Sequence, residues 1–371
     1  MSTFDLLTIA AATIIPACLV SILGGYIMRA LSPKWGLVDQ PNSARKVHTH
    51  PTPLGGGVAI WFGVLSFFIV LTCVSLIASA ESQWLPEIAR QHVEGMATRL
   101  APLWWLLGGA TVLMIVGLMD DRWGLHWAPR LVVQFGVAAV CVVAQGWQLT
   151  AFIPIVPVTY GLSVVWIVAL INSFNMLDNM DGASAGVAAI ASCMLAMFLL
   201  SNAEGVQVFV GGFLLVLLGS LLGFIWHNRP PAKLFMGDAG SYFIGFCVAV
   251  STLLATYTSY QSPKPHALLA PVCVMAVPLY DMVTVLWIRI RSGRSPFQPD
   301  KNHFSHRLVE LGLSKSQAVL TIYLTTATCG FGGLVLRQVD EFGAVIIILM
   351  VVCVLALIGI LETTARRKLQ S

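Results

Sequence analysis

Apolar runs of eighteen or more residues recur from Leu6 to Ile360, separated by short stretches rich in Gly, Pro, Asp and basic residues. Each run is long enough, as a helix, to cross a hydrocarbon layer of about 30 Å. The pattern predicts eleven spans, near 5–31, 54–79, 102–119, 130–147, 155–172, 183–202, 205–226, 239–258, 267–288, 316–336 and 342–361. Backbone groups in lipid have no water to bond, so helices are expected for all of them. The fifth span has the weakest start, because Pro154 and Pro157 interrupt it. The first run lacks a charged n-region and a small-residue cleavage site, so it is expected to be a retained span. No soluble domain, long linker, low-complexity tract or internal repeat stands out. The expected architecture is therefore all-α and polytopic, a single transmembrane domain over residues 1–371.

Charge sorts the ends of the spans. With the N-terminus outside, seventeen of the 21 Lys and Arg fall on one side, and only Arg90, Arg99, Lys264 and Arg337 fall on the other. Such a bias marks the first side as cytoplasmic and places the C-terminus there too. The loops at 32–53, 120–130, 172–182, 227–238 and 289–315 share that side and hold nearly all the Asp, Asn and His able to do chemistry. An active site in a cytoplasm-facing cleft is expected.

Composition narrows the classes further. The chain is 57% hydrophobic and 10% charged, with mean hydropathy +0.83. A water-soluble globule carries about a quarter charged residues, which excludes that class. A net charge of +4, spread along the chain, gives no basic patch for nucleic acid. Eight cysteines lie inside apolar segments without a CxxC pair, as small buried hydrophobes do.

Six stretches carry candidate chemistry. Asp120 and Asp121 end the third span in Gly-Leu-Met-Asp-Asp-Arg-Trp-Gly. Paired carboxylates beside lipid are costly and mark function, with a solvated helix end paired to Arg122 as the alternative. In Asn172-Ser-Phe-Asn175-Met-Leu-Asp178-Asn-Met-Asp181-Gly182, helical geometry would align Asn172, Asn175, Asp178 and Asp181 as i,i+3 neighbours in one oxygen-rich ridge. Oxygen donors suit a hard cation such as Mg²⁺, with Mn²⁺ as a substitute. In Phe-Met-Gly237-Asp238-Ala-Gly240-Ser241, Asp238 is placed to cap the eighth span and to bind metal, and the glycines would admit a phosphate. The loop Asp300-Lys301-Asn302-His303-Phe-Ser-His306-Arg307, with Arg294 before it, suits phosphate and sugar better than zinc. Near the start, the basic residues of Arg45-Lys46-Val-His48, before a Gly-rich span entrance, would hold nucleotide phosphates or serve as positive-inside anchors. Asp281 is embedded in the ninth span as a functional carboxylate or as a structural hydrogen-bond partner.

In this order, on one face of the membrane, these strings closely resemble the polyprenyl-phosphate N-acetylhexosamine-1-phosphate transferases of glycosyltransferase family 4. The resemblance implies a Mg²⁺-dependent enzyme that passes sugar 1-phosphate from a UDP-sugar to undecaprenyl phosphate and releases UMP, initiating a cell-envelope polysaccharide. It implies metal ligation by Asp238, Asn175 and Asp178, with Asp120, Asp121, Asp178 and Asp181 as catalytic candidates. Lys46, His48, Asn172, Arg294, His303, His306 and Arg307 would then bind substrate. The Arg-Lys-Val-His segment and the Ser-Pro-Phe…Asp-Lys-Asn-His loop place the chain nearer the N-acetylglucosamine branch than the N-acetylmuramoyl-pentapeptide branch of peptidoglycan synthesis. Many relatives carry consecutive histidines where this chain has Ser305-His306. Expected partners are the two substrates and membrane lipid, with a homodimer among the options. A secondary transporter, the rival class, predicts acids at mid-membrane and repeated broken helices. A non-catalytic lipid binder is the other rival.

Overall fold

The computed structural model describes residues 3–40, 51–78, 82, 90, 93–149, 153–201, 206–255, 264–297 and 302–370. Among these, ten helices are long and apolar enough to span a membrane, and a bent pair makes an eleventh. In chain order the helices are α1 (Thr3–Leu31), α2 (Gly56–Ile77), α3 (Val93–Trp123), α4 (Trp127–Gln145), α5 (Val156–Leu177), α6 (Ala183–Leu200), α7 (Val208–Asn228) and α8 (Gly237–Leu254). They continue as α9 (Ala270–Val274), α10 (Ala276–Arg291), α11 (Phe304–Glu310), α12 (Lys315–Val335) and α13 (Glu341–Gln370). The all-α polytopic expectation holds, with one addition: strands β1 (Val38–Asp39) and β2 (Thr52–Pro53) form a short antiparallel pair.

The predicted straight ninth span is broken. Its halves, Pro265–Val274 and Ala276–Arg291, meet at 68°. Pro278 explains the break, because it has no N–H to bond the Val274 carbonyl, and at the start of a new helix that donor is not needed. Pro157 interrupts nothing, since it falls in the first turn of α5, where proline is tolerated.

The most enclosed helices are α6, α7 and α8, with 83%, 72% and 78% of their apolar stretches buried, whereas α13 has 6%. Small residues let the helices approach closely, as is common between membrane helices. A side chain on Gly219 would meet the backbone at Ile14, and one on Gly245 the backbone at Ile171.

One end of the bundle is tied by backbone bonds across distant segments. Phe235 N–H donates to the Pro53 carbonyl at 2.9 Å, and Gly56 and Gly57 N–H donate to Phe235 and Met236 carbonyls at 2.9 and 3.0 Å. The Gly-rich entrance of α2 serves this packing. Gly57 touches Gly240 of α8, and Gly56 touches Phe224 and the Phe235 carbonyl, leaving no room for a Cβ at either.

Candidate active site

At that same end α3, α5 and α8 bring their aspartates together. Gly117 lets α3 lie against the first turn of α8, since a Cβ there would run into the backbone of Asp238 and Ala239. Asp121, one helical turn later on the same face, then reaches the start of α8. Its two carboxylate oxygens accept from the N–H groups of Asp238, at 2.8 Å, and Ala239, at 3.1 Å. Asp178, the residue that ends α5, accepts from the Gly237 N–H. The first donors of α8 are thus covered by carboxylates from other helices, as the positive end of a helix favours.

This revises two expectations. Asp238 does not cap its own helix, and the α8 start is not open to a phosphate. Gly237 sits at φ 73°, and a side chain there would collide with the Asp121 carboxylate. Relieved of capping, Asp238 turns its carboxylate into the space between the helices. One oxygen accepts from the amide of Asn175, which also donates to Ser241 Oγ at 3.0 Å. The other lies 3.5 Å from Arg130.

Arg130, near the start of α4, bridges Asp120 and Asp238. It pairs with Asp120 Oδ2 and approaches the Tyr242 hydroxyl at 3.3 Å, while that hydroxyl donates to Asp120 at 3.2 Å. Asp120 Oδ1 accepts from Leu125 N–H at 2.7 Å. Both Asp120 oxygens are therefore engaged, and the expected Arg122 partner is replaced by Arg130. Arg122 instead lies on the loop at Gly36.

The proposed i,i+3 ridge is not continuous, because α5 ends at Leu177 and the chain turns. Asn172 faces α4, donating to Gln134 at 2.7 Å and to the Val168 carbonyl at 2.8 Å. Asn175 faces Asp238, and Asp178 turns to the Gly237 N–H just before it. Asp181 turns toward the segment after α7 and accepts from Ala232 N–H at 3.0 Å. The turn is fixed by Asn228, which accepts from Gly182 N–H at 2.8 Å and donates to the Leu234 carbonyl at 2.9 Å.

The histidine loop docks beside this centre. Ser305 is fully buried and donates to Asn179, so the residue that departs from consecutive histidines ties the loop to the end of α5. The fully buried Asp281 takes the structural reading: it accepts from Phe304 N–H at 2.5 Å and holds His303 Nδ1 at 3.0 Å. His306 lies with its ring 6.4 Å from that of His303. Arg307 is not free for substrate. It is buried, pairs with Glu362 of α13 at 2.9 Å, and donates to the Asn302 carbonyl and to Thr284 at 2.6 and 2.9 Å. The Arg307–Glu362 contact is an ion pair whose angle leaves Nε without a linear hydrogen bond. Arg294 is exposed in the turn after α10. That turn folds back to α4, where Phe297 stacks on Trp127 with ring centroids 4.0 Å apart. Lys46, His48, Asp300 and Lys301 lie outside the described residues.

Charge is unbalanced here. Asp121 lies within electrostatic reach of Asp120, Asp178 and Asp238, and Asp178 also of Asp181, while Arg130 is the cation set among them. Burial first, then repulsion from Asp121 and Asp181, pushes the Asp178 carboxyl up to about 8, against the Gly237 N–H. Asp238, Asp178 and the Asn175 amide are hard oxygen donors, so the set fits a divalent cation such as Mg²⁺ chemically. Among the described residues no three His, Cys, Asp or Glu close into a full metal cage. That suits Mg²⁺, which takes one or two carboxylates and completes its shell with water and substrate phosphates.

Sequence reasoning missed Arg130, Tyr242 and Asn228. Tyr242 stands four residues after Asp238 on a helix, a spacing that places it on the same face. Arg130 was visible only as one more basic residue.

Comparison with known proteins follows the same line. Residues 103–256 match the description "Glycosyl transferase family 4". The chain is 30% identical over 358 residues, 93% of its length and 91% of the relative's, to the "Probable undecaprenyl-phosphate N-acetylglucosaminyl 1-phosphate transferase" of Bacillus subtilis. It is 35% identical over 339 residues, 85% of its length and 79% of the relative's, to the "Decaprenyl-phosphate N-acetylglucosaminephosphotransferase" of Mycolicibacterium smegmatis. The "Undecaprenyl-phosphate alpha-N-acetylglucosaminyl 1-phosphate transferase" of Escherichia coli K12 is 29% identical over 350 residues, covering 91% of this chain and 86% of its own.

Proposed function

The chain belongs to glycosyl transferase family 4, and from that premise we propose that it transfers N-acetylglucosamine 1-phosphate from UDP-N-acetylglucosamine to undecaprenyl phosphate, releasing UMP. The observation that carries the reading is the meeting of Asp120, Arg130, Asn175, Asp178 and Asp238 at one end of a membrane-spanning bundle. That end faces the cytoplasm of the inner membrane, where UDP-sugars are made, and the N-terminus lies outside.

An oxygen of the acceptor phosphate attacks the sugar-bearing β-phosphorus. One P–O bond forms there, the bond to the α-phosphate oxygen breaks, and UMP leaves with the electron pair. Both substrates are anionic, so positioning and charge stabilisation supply most of the catalysis. Mg²⁺, when bound by Asp238, Asn175 and Asp178, supplies positive charge to the diphosphate and to the departing UMP.

The chain's own residues do the rest. Arg130, held by Asp120 and Tyr242, presents its fork to the acceptor phosphate. A phosphate dianion needs little deprotonation near neutral pH, so Asp120 acts by orienting Arg130. Asp121 holds the α8 start and thereby Asp238. For cation binding, Asn175 must turn its amide so that Oδ1 faces the ion. Asp281 fixes the His303 ring beside the centre, and Arg294 adds positive charge for the donor.

Purified protein given radiolabelled UDP-N-acetylglucosamine, undecaprenyl phosphate and Mg²⁺ should form a labelled lipid and UMP in equal amounts. A panel of UDP-sugars fixes the donor. Absence of labelled lipid with every donor would overturn the reading.

A further inference from the structure

At the same end of the bundle lies a cavity of about 610 Å³. Tyr26, Arg29 and Ala30 of α1 form one wall, Pro51–Pro53 the second, and Ala232 and Lys233 the third. Arg29 and Lys233 come from segments two hundred residues apart, yet both act electrostatically on the buried His227 between them. Among the described residues neither cation has an anionic partner, and Arg29 makes only a contact over the Tyr26 ring, at 5.7 Å. Two like charges aimed into one cavity repel unless an anion joins them.

The surroundings say where that anion comes from. Leu19, Leu23, Tyr26 and Ile27 are 50–62% exposed and, at i, i+4, i+7 and i+8, make one outward stripe of α1. Leu222 and Trp226 of α7 are exposed beside it, with Trp226 Nε1 donating to Tyr26 at 3.2 Å and Arg229 stacked over Trp226 at 4.2 Å. Aromatic side chains of this kind mark the level of the lipid headgroups. An apolar, lipid-facing stripe therefore runs up to a basic cavity at the interface. A free phosphate would use the cavity and ignore the stripe; a phospholipid uses both.

We propose that Arg29 and Lys233 bind the phosphate of an anionic phospholipid headgroup, with its acyl chain along the α1 stripe. Basic pockets of this type at the cytoplasmic ends of helices suit anionic headgroups. The site also reaches the aspartates. Lys233 N–H donates to the His227 carbonyl at 2.8 Å, and the neighbouring Ala232 N–H donates to Asp181 at 3.0 Å. A headgroup on Lys233 steadies the segment that holds Asp181, so occupancy raises turnover. This last consequence rests on the proposed transferase activity; lipid binding itself does not.

The test uses full-length protein and phosphatidylglycerol as the probe. Native mass spectrometry counts retained lipid after purification, for wild type, for Arg29→Gln/Lys233→Gln, and for a charge-matched control, Arg291→Gln/Lys315→Gln, at exposed positions. The expected result is a retained phosphatidylglycerol that falls at least fivefold in the first double variant and stays in the control. In nanodiscs, adding phosphatidylglycerol to phosphatidylcholine should raise product formation severalfold for wild type and control, with the KM for UDP-N-acetylglucosamine unchanged, and leave the first variant flat. Equal retention by all three proteins would overturn the site. So would stimulation by inorganic phosphate in neutral discs, which indicates a free-anion site, or a raised KM for the donor with unchanged lipid retention, which assigns the cations to the nucleotide. If retention behaves as expected but no disc yields product, the transferase reading fails and the lipid site stands.

Discussion

Asp121→Asn separates a structural carboxylate from a catalytic one. In the native protein both Asp121 oxygens accept backbone N–H bonds from the first turn of α8, at 2.8 and 3.1 Å. Bonds to a charged acceptor contribute about 1.5–3 kcal/mol each, against about 0.5–1.5 kcal/mol for a neutral one. Asparagine keeps one acceptor and turns its NH₂ toward the other N–H, leaving two donors face to face in a partly buried place. The charge that complements the helix start is lost as well, a further contribution of about 0.3–1 kcal/mol. Together the change costs roughly 3–5 kcal/mol on these values. It acts on the residues that aim Asp238. The account predicts a Tm lower by several degrees in a thiol-reactive dye melt in detergent, and turnover reduced at least a hundredfold with the shape of the pH profile preserved. Asp120→Asn should also lose turnover, with a smaller fall in Tm, since its partners are the side chains of Arg130 and Tyr242 and one loop N–H, and no helix start depends on it. A full wild-type Tm for Asp121→Asn together with a displaced limb of its pH profile would refute the reasoning, because it would make Asp121 a proton-transfer group.

Three further outcomes are expected. Cation affinity should rise with pH, because the proton that Asp178 holds near pH 8 must leave before the ion binds. For one such proton the gain between pH 6.5 and 8.5 is roughly 25-fold, to be measured by Mn²⁺ titration; a flat profile would exclude Asp178 as a ligand. Arg130→Gln should raise the KM for undecaprenyl phosphate at least tenfold, with Arg130→Lys intermediate, since lysine restores charge without the two-pronged fork; an unchanged acceptor KM would remove Arg130 from that role. Asp281→Asn puts a donor against the Phe304 N–H or the His303 ring in a fully buried place and should lower stability by about 1–3 kcal/mol, read as a lower Tm with reduced turnover; unaltered values for both would show that the loop is held by other contacts.

The spans were legible because lipid demands long apolar stretches, and ten of the eleven form continuous helices, although α3 (Val93–Trp123) starts well before its expected 102 and α13 (Glu341–Gln370) runs well past its expected 361. The break in the ninth was also written in the chain, as Pro271 and Pro278, but a mean apolar character conceals a local loss of donors. At the site, residue types pointed to segments that the fold brings together and were silent on roles. Asp121 and Asp238 each fit a helix cap or a ligand by composition. Only the approach at Gly117 shows that Asp121 caps the helix on which Asp238 is free. Asn172 looked like its neighbour Asn175, yet the end of α5 turns one toward Gln134 and the other toward Asp238. Arg307 reads as a substrate cation until Glu362, fifty-five residues on, is found against it. Such pairings over long sequence separations leave no periodic signal.

In the proposed function, Asp238 and its neighbours form one divalent-cation site at a single end of the bundle. Electron paramagnetic resonance of Mn²⁺ added to the purified protein with UDP-N-acetylglucosamine tests it most directly. The account predicts one bound ion per chain, released by excess Mg²⁺, lost in Asp238→Asn and retained in Asp340→Asn at the far end. An ion bound as tightly by Asp238→Asn as by the wild type would contradict it.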